Sequence, residues 1–425
     1  MHPTPLPTSA QPQTDAQVPP TAARAALSRS PGWRAWQPSL AVLALVAAVA
    51  GCGGGGSPAD SVVTATPASA FTLGTITGFG SIIVNGVRFD ESSASVTDDD
   101  GTQRSATALA LGMRVEVDSG AVDSTNASAH AAAVRYGSLV LGPVAAVNVA
   151  ASTLTVLGQV VDVSTSTVFS DSLSAGLPAV AVRAVVEVHG LVNAATGHIT
   201  ATRIESATGA TAYKLRGTVA ALDSTAKTFM INGTLVSYAG LAVSAVPATL
   251  ANGVTLRVVL ATAQSGGVWV AQSLGLKRTK PQDSEAAEVR GRITAFTSSA
   301  SFSVDGLVVD ASAASFPDGS SGLALGVAVE VQGKTSNGVL LARRVEIESS
   351  HLGDDDHAWH LFGAITAVNA AARTFVVRGT TVSYGDATTY VNGSLADLLV
   401  GRKLHVKGAV GSNQNQVQAV TITFD

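Results

Sequence analysis

The residues best suited to metal chemistry sit together in HLGDDDHAWH, residues 351–360, where His351, Asp354, Asp355, Asp356, His357 and His360 fall within one short stretch. Histidine and carboxylate together suit zinc or another divalent ion. Three consecutive Asp side chains cannot all turn toward one ion from an extended chain, so the candidate ligands reduce to His351, Asp354, Asp356, His357 and His360. A solvated polar connector accounts for the same composition. A second acidic run, TDDDG at residues 97–101, has the look of a calcium-loop fragment but lacks alternating oxygen ligands and a closing Glu. It reads as a polar hairpin.

Catalytic groupings are harder to find. Beyond Cys52 the histidines are His130, His189, His198, His351, His357, His360 and His405, and no GxSxG, HExxH or Walker A pattern accompanies them. Glu116, Glu187 and Glu330 recur at one place in three copies of a repeat, on what the alternation marks as the outward face of a strand. An enzyme would need one copy to differ sharply from its siblings, and none does. No catalytic residue and no cofactor is therefore assigned.

Cys52 is the only cysteine of the 425 residues, so no disulfide is available and the fold rests on burial. It follows a basic flank of Arg24, Arg29 and Arg34 and the apolar run LAVLALVAAVA at residues 40–50. That run is too short for a stable transmembrane helix, which needs about 20 residues, and it has the layout of a signal peptide. VAGC resembles the lipobox of bacterial lipoproteins, which implies cleavage before Cys52 and acylation of its thiol. Val49 stands where leucine is more usual, and the leader is long and Pro-rich at its start. Gly53 rather than Asp after the cysteine favours the outer membrane, by resemblance to enteric lipoproteins. Residues 52–70 then form a Gly/Ser/Ala tether.

Of 26 basic and 30 acidic residues, three Arg and Asp15 precede Cys52, which leaves the remainder at a net charge of −6. Aromatics are 5% of the chain, and only Trp269 and Trp359 of the tryptophans follow Cys52. A single-strand nucleic-acid groove needs basic charge with aromatic platforms, so nucleic acid is excluded as a partner.

The elements that would hold any site come from a repeat. GTITGF at Gly74, GPVAAV at Gly142, GTVAAL at Gly217, GRITAF at Gly291 and GAITAV at Gly363 recur at intervals of 68 to 75 residues. Each is followed by three further markers, seen in the fourth copy as FSVDG, LGVAVEVQG and GVLLARRVE. Four ordered markers in five copies indicate tandem domains. Phe302 and Val304 alternate with Ser303 and Asp305, the period of a half-buried strand. Asn85-Gly86, Asn232-Gly233 and Asp305-Gly306 suit tight hairpins. In the last copy Ser394, Asp397 and Gly401 predict a short capped helix between strands three and four. Phe229, Phe302 and Phe375 share one strand position and are assigned to the core, since an exposed apolar stripe would be a solubility burden.

Five strands with that interruption match an OB-type Greek-key barrel. GTITGFGSIIVNGVRFD at residues 74–90, with LALGMRVEVDSG after it, resembles the bacterial domain-of-unknown-function family numbered 5666 over residues 71–425. The resemblance implies repeated OB-like barrels in the cell envelope and brings no catalytic residues. The expected layout is all-β, with a lipoprotein signal peptide at 1–51, the lipidated cysteine and tether at 52–70, and barrels at 71–138, 139–210, 211–285, 286–358 and 359–425. Each barrel is expected to bury its own core. The function expected is a non-enzymatic envelope lipoprotein, a binding or structural module. It would meet the membrane through its lipid anchor, with an envelope protein or glycan as the expected partner. The alternatives are a metal- or small-ligand-binding receptor using the His351–His360 connector and, third, an envelope hydrolase.

Overall fold

The dipeptides that reverse the chain set the repeat. Asn85-Gly86, Asn232-Gly233 and Asp305-Gly306 hold positive φ at both positions, with Asn85 at 52° and Gly86 at 79°. This is the turn geometry that matches strand twist in a two-residue hairpin. Leu157-Gly158 and Arg378-Gly379 take the same conformation without Asn or Asp at the first position. The computed structural model describes residues 69–276, 280–348, 358–411 and 416–425, and these form strands and single-turn 3-10 helices.

In the fourth copy Ser284–Ser298 pairs antiparallel with Ser301–Val304, which pairs antiparallel with Leu307–Asp310. Leu307–Asp310 runs parallel to Val339–Ile347, which pairs with Ala328–Ser336, which returns to Ser284–Ser298. The ring closes in the order 1-2-3-5-4, the OB-like Greek key. The other four copies close the same way, each with one parallel contact between strands three and five. Alternate residues point inward, and Phe229, Phe302 and Phe375 are 0%, 3% and 1% exposed. They are core plugs.

The helix expected in the last copy is one 3-10 turn, Leu395–Asp397. Ser394 and Asp397 form the capping box, and the Ser394 amide donates to Asp397 Oδ2 at 2.8 Å. The turn stops because Leu398 is drawn into the core and the Gly401 amide donates to the Ile365 carbonyl at 2.8 Å.

The copies are not separate beads. A long first strand pairs with strand four along its first half and strand two along its second, which leaves one open edge on each half. In the first copy both are filled. Ala70–Leu73 runs parallel to Ala286–Val289 of the fourth copy, and Gly78 and Phe79 run parallel to His360 and Leu361 of the fifth. Lys214 and Leu215 of the third copy pair with Leu141 and Val140 of the second. The cores merge accordingly. Phe71 and Leu73 pack into the fourth copy's core, while the first and fifth copies share one apolar cluster and the second and third another. The expectation that each copy buries its own core is thus corrected: rings close locally, but their apolar clusters cross copies.

Candidate functional site

Strand one of the fifth copy, Trp359–Asn369, alternates Trp359, Leu361 and Ile365 into the core, so His360 and Phe362 face outward. Strand four, Lys403–Val410, likewise buries Leu404 and Val406 and turns His405 outward. The antiparallel register sets Phe362 opposite His405 and His360 opposite Lys407. The two imidazoles meet diagonally, with His360 Nδ1 2.9 Å from His405 Nε2. The His405 ring lies flat on Phe362 at 3.9 Å between centroids and 4° between planes. Arg88 of the first copy covers the other face of Phe362, its guanidinium carbon 4.4 Å from the ring centre. Burial, and then the neighbouring His360, push the His405 imidazole down to about 4.

His360 is thus a strand residue partnered with His405, rather than part of a free connector. His351, Asp354, Asp356 and His357 lie outside the described residues, as does Cys52. The sequence does not single out His405, because its relation to His360 spans 45 positions and depends on strand register. The alternation around it, LHVKG, was the only available signal.

The other candidates stand apart from this pair. The acidic hairpin clasps the third copy: Asp99 meets Arg216 at 3.0 Å and Lys214 at 3.4 Å, and Asp100 pairs with Lys214 and Arg257. Asp98 folds the hairpin itself, accepting from the Thr102 amide at 2.9 Å and from the Arg104 guanidinium. Glu116 faces out of its barrel as expected but is only 5% exposed, and it pairs with Arg135. Glu330 meets Arg290 at 2.8 Å, and Glu187 is half-buried. His189 is fully enclosed, and burial holds its imidazole below the ordinary histidine range. His198 rests 3.0 Å from Asp162, and His130 lies exposed beside Asp90. Among the described residues, no three His, Cys, Asp or Glu side chains gather as a metal site would require. Likewise no described helix is long and apolar enough to cross a membrane.

Strand order and the recurring hairpins define a tandem-repeat protein of five-stranded OB-like barrels. A family model described as "Domain of unknown function (DUF5666)" matches residues 72–127, 142–205, 290–346 and 362–423, more than half of the chain. The chain belongs to that family. The third copy, outside the matched segments, closes the same ring. No curated protein matches. A solved structure described as "drosophila Unr CSD456" is similar at 14% identity, covering 51% of this chain and 98% of its own, with a TM-score of 0.13. The fold assignment rests on strand order, not on that likeness.

Proposed function

We propose that this chain is a non-enzymatic lipoprotein of the cell envelope, anchored by acyl chains on Cys52 and serving as a multi-barrel binding or structural module for an envelope protein or glycan. One observation carries the reading: the charged side chains join copies to one another. Arg114 pairs with Asp305 across the first and fourth copies and donates to the Arg290 carbonyl at 2.7 Å. Asp99 and Asp100 do the same between the first and third. Side chains spent in this way hold surface loops in fixed relation, which suits a platform.

The anchor rests on the short apolar run before VAGC. Acyl chains contribute about 0.8 kcal/mol per buried methylene, so more than one chain holds firmly. The wild type is expected to incorporate labelled palmitate and to sediment with membranes, while Cys52→Ala stays in the supernatant. Sedimentation of Cys52→Ala together with an unlabelled wild type would refute the anchor. Crosslinking in intact envelopes, followed by identification of the captured species, tests the binding role. A hydrolysis product formed by the purified chain from envelope glycan would overturn the non-enzymatic reading.

A further inference from the structure

We propose that the fifth barrel holds a binding site for a neutral saccharide, in the cleft between the turn joining its first two strands, the end of its third strand and its 3-10 turn. This ligand class deepens the binding-module reading, on which it rests. The cleft has a volume of about 360 Å³, at the small end of ligand pockets, which run from about 300 to 1,000 Å³. Tyr384 and Tyr390 line it with Leu395 and Leu398 of the 3-10 turn, and Arg373 and Asp386 stand exposed at its mouth. Three fixed segments build the walls. The Tyr384 amide donates to the Arg373 carbonyl at 3.0 Å, which ties the end of strand three to the turn before strand two. Thr389–Val391 pairs parallel with strand five, and Tyr390 stacks on Phe424 with 18° between ring planes. The capping box of Ser394 and Asp397 holds the 3-10 turn.

The chemistry of the lining selects the class. A pyranose presents C–H groups on its ring faces and hydroxyls around its edge, and each hydroxyl both donates and accepts. Tyr390 and the two leucines offer apolar surface to a ring face. Burial pushes the Tyr390 phenol above its ordinary range, so it keeps its proton as a donor. Arg373 Nη1 stands 2.8 Å from Asp386 Oδ1, which sets a charged donor and a charged acceptor side by side for neighbouring hydroxyls. The pair is neutral as a whole. An anion would meet Asp386 and a cation would meet Arg373, so the mouth disfavours ionic ligands of either sign. The third copy makes the same junction, the Tyr238 amide donating to the Lys227 carbonyl at 2.9 Å. There Gly240 stands in the place of Asp386, and Leu241 packs against the core. The third copy therefore lacks the acceptor.

The test is isothermal titration of the full chain with glucose, galactose, mannose and N-acetylglucosamine in turn, with glucuronate and glucosamine as charged counterparts. At least one neutral sugar should bind one-to-one and more tightly than either charged one. Asp386→Ala, which changes an exposed side chain, should melt like the wild type and weaken binding about tenfold, the loss of a hydrogen bond to a charged group. In the wild type labelled with 3-fluorotyrosine, the resonances of Tyr384 and Tyr390 should shift among the five tyrosines, with Tyr390→Phe identifying one of them. Saturable binding by none of the four neutral sugars would overturn the proposal. So would equal affinity in a folded Asp386→Ala, or shifts confined to other tyrosines. A chain that binds none of the four yet captures an envelope protein on crosslinking would overturn this site alone and leave the binding-module reading standing.

Discussion

Gly333 shows how a missing side chain lets two strands meet. A Cβ there would lie 2.1 Å from the Leu341 carbonyl oxygen, and at Gly190 and Gly408 it would meet the Thr200 and Gln418 carbonyls at 2.3 Å. All three sit at a bulge between strands four and five. The markers VEVHG, VEVQG and LHVKG display these glycines in the sequence, but the opposing carbonyl belongs to another strand and cannot be read beside them. Gly333→Ala should cost about 1–3 kcal/mol, the usual penalty for overpacking, seen as a lower melting temperature. Gly120→Ala, where a Cβ meets nothing within 4 Å, should melt like the wild type. His189 makes a second prediction at this scale. Burial lowers its folded-state pKa from 6.5, so below about pH 6.5 the unfolded chain takes up a proton that the folded one resists. Stability present above that pH is lost as pH falls, and His189→Gln should flatten the decline measured by melting at successive pH values. An equal slope in the variant would assign the acid sensitivity elsewhere.

At the scale of elements, hairpins were legible because Asn-Gly and Asp-Gly require little beyond themselves, whereas Leu157-Gly158 and Arg378-Gly379 make the same turn under the constraint of their paired strands. The hairpin carrying Asp98 to Asp100 reads as polar in the sequence, which is right for Asp98 and incomplete for its neighbours. Asp99 and Asp100 are enclosed by Lys214, Arg216 and Arg257 from the third copy, over a hundred positions away. Removing one charged partner from a hydrogen-bonded pair costs about 1.5–3 kcal/mol. Asp99→Asn should therefore lower the denaturant midpoint, whereas Asp386→Asn, whose partner Arg373 is exposed, should barely change it. Equal effects of the two substitutions would deny the clasp its role.

For the whole molecule, the first copy is the hub. Its first strand carries the fourth and fifth copies on its two open half-edges, and Phe71 and Leu73 cross into the fourth copy's core. Two polypeptides divided after Gln282 should consequently associate when mixed, because each exposes apolar surface and strand edges that the other covers. Size-exclusion chromatography should show a one-to-one complex. Halves that fold and elute independently would mean that the contacts between copies are dispensable.

Copy number, strand alternation and most chain reversals follow from neighbouring residues, since a strand's period is two and a tight turn is decided by two side chains. The core placement of Phe229, Phe302 and Phe375 came from the same alternation. Which copies touch, and that His360 meets His405, only the tertiary structure decided. Pairing between copies has no connecting turn to fix its register, and the open half of a first strand accepts any edge that shape, burial and charge complementarity bring beside it.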